Sequence, residues 1–127
     1  MGSNIVIGYI TLGTSDLKRA ATFYDALLAE MGAKRYMESE KFVAWAVRPD
    51  LPALGVIQPF DGRAATPGNG TMVALAADST EVVDRVHRKA MSLGATDEGA
   101  PGPRGQGFYA GYFRDLDGNK LNVFFMG

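Results

Sequence analysis

Few side chains in this chain could carry covalent or metal chemistry. The 127 residues hold no cysteine and one histidine, His87. Thiolate nucleophiles, thiolate metal centres and disulfides are thereby excluded, and a single imidazole is left to act as base or ligand. His87 stands among Arg85, Arg88 and Lys89 on the flank of a helical apolar stripe, so a solvated or boundary residue is expected there. A serine–histidine–aspartate arrangement has no other imidazole to draw on. Glu38 with Glu40, and Asp97 with Glu98, are close in sequence and read as solvated turns, whereas glycosidase chemistry needs carboxylates facing across a cleft. Gly102, Gly105 and Gly107 lack the spacing and the strand–turn–helix setting of a phosphate loop. Asp115 and Asp117 are expected to shape a turn.

The elements that must position any site come in two similar sets. Ile5 to Leu12 is an apolar, β-branched run ending at Gly13-Thr14-Ser15-Asp16. Leu17, Ala20, Ala21, Tyr24, Leu27, Leu28 and Met31 then keep the spacing of one buried helix face, and Gly32 supplies a left-handed stop. The order recurs with Met72 to Ala77, a cap at Asp78-Ser79 with Glu81 in the capping-box position, a stripe of Val82, Val83, Val86, Ala90 and Leu93, and Gly94. Lys34–Met37, Lys41–Val47 and Ala53–Pro59 follow the first helix as short strands. Gly107–Arg114 and Lys120–Met126 follow the second, joined by an Asp-Gly hairpin, with Ala95–Ala100 as a weaker strand. Each half therefore reads βαβββ, an α+β arrangement with module 1 at about residues 4–60, a Gly/Pro/Ala linker at about 61–69 and module 2 at about 70–127. The loop from Gly99 to Gly107 is expected to form a mobile flap. Met1-Gly2-Ser3 reads as a cloning remnant and is set aside.

Thirteen basic and 14 acidic residues leave a net charge of −1, which attracts neither nucleic acid nor an anionic membrane. No apolar run approaches the length of a membrane span, and the N-terminus has no signal-peptide pattern. A cytoplasmic protein is expected.

Two stretches carry a family resemblance. YITLGTSDLKRAATFYD, from Tyr9 to Asp25, resembles the pattern HxTLxxxDxxxxxxFYD, and GFYAGYFRDLDGNKLN, from Gly107 to Asn122, resembles YxAxFxRDPDGNxxE. Both belong to the vicinal-oxygen-chelate superfamily of glyoxalases, bleomycin-resistance proteins and extradiol dioxygenases. The resemblance implies one domain of two βαβββ modules whose curved sheets enclose a half-barrel cleft. It also implies metal ligands on the first and last strands of each module, because chelating two substrate oxygens requires imidazole or carboxylate anchors.

The implied ligand positions hold Tyr9, Met72 and Asn122, and the fourth strand of module 1, Leu54 to Ile57, offers no carboxylate. A phenol, a thioether and an amide are weak ligands for these ions. No metal and no cofactor are expected. The expected site is a concave pocket lined by Tyr9, Thr11, Trp45, Met72, Phe108, Tyr109, Asn122 and Phe124, with Arg104 supplying orienting hydrogen bonds.

The function this implies is metal-independent binding of an apolar or aromatic small molecule. The alternative is a glyoxalase/lyase- or dioxygenase-like enzyme, for which Tyr9 is the best catalytic candidate, although a phenol of pKa about 10 is a poor base at neutral pH. A module that only docks on a partner is a third reading. The resemblance implies a homodimer, in which a second copy would cover open strand edges.

Overall fold

A computed structural model of the protein describes residues 4–127; Met1-Gly2-Ser3 lie outside the described residues. The element order is β1 (Tyr9–Gly13), α1 (Leu17–Ala29), β2 (Lys34–Glu38), β3 (Phe42–Ala46), β4 (Ala53–Ile57), β5 (Val73–Ala76), α2 (Thr80–Ser92), β6 (Thr96–Pro103), β7 (Phe108–Arg114) and β8 (Lys120–Met126). The strands form two open four-stranded sheets, ordered β1-β4-β3-β2 and β5-β8-β7-β6. In each sheet the first strand runs parallel to the last of its module, and the other pairs are antiparallel. The two βαβββ modules read from the sequence are therefore present.

Each helix starts and stops for a local reason. Asp16 caps α1 by accepting the Arg19 amide at 3.0 Å, and Ser79 caps α2 by accepting the Val82 amide at 3.2 Å. Ser79 is thus the cap, and Glu81 sits one position too early to complete the capping box expected with Asp78. Gly32 and Gly94 both adopt positive φ, and beyond them Ala33 and Ala95 donate back to Leu28 and Ala90 at 3.0 Å. The duplication extends to the hydrogen bonds of the helix stops.

One core joins the modules. Tyr24, Leu27 and Leu28 of α1 share a buried cluster with Val83, Val86 and Ala90 of α2, with Trp45 and Val56 of the first sheet, and with Phe113, Leu121 and Val123 of the second. Both helices thus lie against one side of their sheets. Because strand side chains alternate, the register then fixes an opposite, open face. On the first sheet it carries Tyr9 and Thr11, with Phe42, Ala44, Ala53 and Gly55 alongside. On the second it carries Ala74, Tyr112, Arg114, Lys120, Asn122 and Phe124.

Three elements differ from the sequence reading. The run Ile5–Gly8 is not strand: pairing of β1 begins where Ala53 donates to the Gly8 carbonyl, and the preceding Pro52 has no N–H to extend it. The expected flap is largely β6, bulged at its glycines and paired to β7 through Gly102↔Ala110 and Pro103↔Tyr109. His87, expected at a solvated boundary, is buried; its Nε2 lies 3.2 Å from both Asp97 Oδ1 and the Tyr112 carbonyl oxygen.

Candidate functional site

The edges of the two sheets face one another across a cleft of about 810 Å³. Thr11 of β1, Met72, Ala74 and Ala76 at β5, Leu28 of α1 and Met31 just beyond α1 border it. Its walls are mostly apolar, as expected where a small molecule is held by shape. A second hollow of about 670 Å³ shares Thr71 and Met72 with the first and is bounded by the segment Pro67–Gly70 and by Arg114 and Lys120.

The sequence-derived residues divide among these surfaces. Thr11 and Met72 line the cleft. Tyr9 lies outside it, exposed, with its ring edge-on to Phe42 at 6.2 Å. Asn122 and Phe124 stand on the open face of the second sheet, where the Phe124 ring stacks on Phe108 at 5.4 Å. Tyr9 and Asn122 sit on different sheets. Arg104 is turned back on its own loop, donating to the Ala100 and Gly102 carbonyls at 2.8 Å.

Two aromatic residues expected in the cleft point to the helices. Trp45 alternates with the open-face residues Ala44 and Ala46, so its ring enters the core, where its indole N–H donates to Asp25 Oδ1 at 2.8 Å; it lines the cleft as well, as expected. Tyr109 alternates with Phe108 and Ala110, and its hydroxyl donates to Asp84 of α2 at 2.6 Å. That bond raises the Tyr109 pKa above the usual phenol value. In both cases the period-two register decides the face.

Asn122 is 1% exposed, and its Oδ1 has no hydrogen-bond partner. A buried, unpaired amide oxygen costs about 1–3 kcal/mol, so such a group is notable wherever it persists. Of the residues beside it, Arg114 and Lys120 were not among those expected in the pocket. Register sets Tyr112 opposite Asn122 and Arg114 opposite Lys120, on one face. The signal for them was the alternation itself, carried one pair further along the hairpin.

The metal that the fold family implies can be tested against these side chains. Gly55 is the open-face residue of β4 between Ala53 and Ile57, and a Cβ there would lie 2.6 Å from Cε1 of Phe42, whose ring covers the position. Met72 offers only a thioether, Asn122 only an amide, and Tyr9 lies on the other sheet from Asn122. Among the described residues no three His, Cys, Asp or Glu side chains come together as a metal site. This donor set does not fit a divalent cation.

The pattern of the glyoxalase/bleomycin resistance protein/dioxygenase superfamily matches residues 6–123. A glyoxalase/bleomycin resistance protein from Albidiferax ferrireducens T118 has a similar structure, with a TM-score of 0.88 and 31% identity over 97% of this chain and 100% of that one. A glyoxalase/bleomycin resistance protein/dioxygenase family enzyme from Burkholderia phytofirmans PsJN shares the fold at a TM-score of 0.76 and 19% identity, over 94% of this chain and 98% of that one. Lactoylglutathione lyase from Agrobacterium tumefaciens shares it at 0.72 and 20%, over 98% and 96%. No curated protein matches the sequence.

Proposed function

The chain belongs to the glyoxalase/bleomycin resistance protein/dioxygenase superfamily, and we propose that it is a metal-independent binding protein for an apolar or aromatic small molecule. The observation that carries this reading is Asn122. It occupies the position where the resemblance implies a metal-ligating carboxylate, yet it is a neutral amide with an unpartnered oxygen. An amide in that place orients a ligand by hydrogen bonding, and the apolar cleft and the Phe108–Phe124 pair supply contact area. Residue by residue, Thr11, Met72, Asn122, Phe108 and Phe124 are the contacts proposed, with Tyr9 and Arg104 at the rim.

No cofactor enters this reading. An enzymatic alternative would need a base beside Tyr9, and among the described residues none stands within hydrogen-bonding distance of its hydroxyl. The reading also takes the protein as a cytoplasmic homodimer. The unpaired strand edges of both sheets, with Val6, Tyr9 and Val47 exposed nearby, support the second copy. No helix among the described residues is long and apolar enough to cross a membrane.

A melting screen with a library of aromatic compounds, run with and without a chelator, tests the proposal. A ligand present at one hundred times its Kd stabilises by about 2.7 kcal/mol, which such a screen resolves. Upward shifts unaffected by chelator are expected; no shift with any compound, or shifts abolished by chelator, would sink it.

A further inference from the structure

Resting on the binding role proposed above, we infer that the ligand carries an anionic group, held between Arg114 and Lys120 at one end of the second sheet, with its apolar body lying toward the neighbouring Tyr112–Asn122 row. The open face of the β7–β8 hairpin is graded along its strands. Paired rows succeed one another as Arg114 with Lys120, Tyr112 with Asn122, Ala110 with Phe124, and Phe108 with Met126. The first row is cationic, the second polar and aromatic, and the last two apolar. Same-face rows lie about 7 Å apart, so a molecule the size of a fused aromatic acid reaches from the cationic row to the next one.

Charge at the cationic end is incompletely matched. Glu98 is the one carboxylate paired there, and it serves both cations through a single oxygen, 3.3 Å from Arg114 Nε and 3.9 Å from Lys120 Nζ. Both distances exceed the roughly 2.7–2.9 Å of a well-formed charge-assisted bond. Arg104 adds a third positive charge: its guanidinium lies 5.6 Å from the Tyr112 ring centroid, and Lys120 Nζ lies 5.7 Å from the same centroid. Arg104 has only backbone carbonyls as acceptors. Three cations therefore face one carboxylate in a chain whose overall charge is −1. Space for an incoming group exists, because Arg114 and Lys120 border the hollow of about 670 Å³.

Asn122 supplies the second, independent pointer. Its buried Oδ1 has no partner and sits one row from the cations. Asn122 borders neither hollow and its Oδ1 is closed to solvent, so a ligand hydroxyl or N–H beside the anionic group reaches it only where the side chains over it part. Glu98 would yield to the stronger bidentate contact that Arg114 can make with a ligand carboxylate.

The test compares 3-hydroxy-2-naphthoate with the neutral 3-hydroxymethyl-2-naphthol by calorimetry on the full chain, at low and at moderate salt. The naphthoate is expected to bind at least about tenfold more tightly at low salt, and the difference should shrink as salt rises. Lys120→Gln and Arg114→Gln should each reduce the difference, whereas Glu98→Gln, which removes the competing carboxylate, should increase it. Equal binding of both compounds would overturn this inference and leave the binding role standing. A preference that survives both cation substitutions, or is unchanged in Glu98→Gln, would also overturn it. Failure of both compounds to bind would count against the binding role itself.

Discussion

The hydroxyl of Tyr24, in α1 of the first module, donates a 2.6 Å hydrogen bond to Oδ2 of Asp115 at the end of β7 in the second. Asp115 is itself buried and organises the last hairpin, taking the amides of Asp117 and Asn119 on Oδ1 at 2.9 Å and the Asn119 side-chain amide on Oδ2 at 3.1 Å. Asn119 then donates to the Gly13 carbonyl at 3.0 Å, and Asp117 accepts the Ser15 amide at 3.1 Å. The turn read from the sequence as a local device is thus the fastening between modules. It fixes the hairpin that carries Asn122 and the cationic row.

Tyr24→Phe should destabilise the protein by about 1–2 kcal/mol, the cost of leaving one buried acceptor short of a donor. Burial, and then the charge of Asp115, raise the Tyr24 pKa well above the ordinary phenol value. A raised folded-state pKa contributes stability that is full below the unfolded value of about 10 and is lost as pH climbs beyond it. Urea unfolding should therefore show a steeper loss above about pH 10 in the parent than in Tyr24→Phe. Parallel slopes would contradict the assignment.

Asp25 behaves in the opposite sense. Hydrogen bonds from Arg35, at 2.9 and 2.8 Å, lead in holding its carboxyl below the usual range, and the Trp45 indole adds to them. A depressed pKa gives stability present above the unfolded value of about 3.9 and lost as pH falls through the folded one. Asp25→Asn should flatten the acid limb of the stability profile, by a small amount because the pair is partly exposed. Trp45 is the chain's one tryptophan, so its emission during unfolding reads this contact without interference.

Gly55→Glu places a carboxylate on β4 at the open face, yet the Phe42 ring occupies the space it would enter. The substitution should cost about 1–3 kcal/mol through overpacking and should confer no melting shift with zinc or nickel. A metal-dependent stabilisation of this variant would show the face to be a latent metal site.

The tip after β6 tests backbone strain. Gly105, Gln106 and Gly107 are consecutive left-handed residues, with φ of 96°, 53° and 77°. Gln106→Gly should be neutral or stabilising by up to about 1 kcal/mol. Gly107→Ala should cost about 2 kcal/mol or more, since its Cβ would meet the Gly127 carbonyl oxygen at 2.7 Å as well as the unfavourable φ. Chemical denaturation of both variants reads the contrast, and equal effects would contradict it.

The duplicated βαβββ plan was legible because periodicity, caps and glycine stops are local signals, and Gly32 and Gly94 end the two helices alike. The facing of individual strand residues was less so. Trp45 and Tyr109 sit on the strands expected, but a one-residue step decides between cleft and core, and only the register with β4 and β8 shows which way each turns. Tyr24 and Asp115 lie 91 residues apart, and His87 and Asp97 sit on different elements, so no local periodicity announces either pairing. The cationic row escaped notice because Arg114 and Lys120 lie either side of a turn, and become neighbours only when the hairpin closes.

Recognition by this protein rests on a neutral amide and an apolar cleft in place of a metal ion. Elemental analysis of the purified protein, combined with calorimetric binding of 3-hydroxy-2-naphthoate before and after exhaustive chelation, tests this most directly. Substoichiometric metal and unchanged affinity are predicted. A stoichiometric divalent ion whose removal abolishes binding would contradict the account.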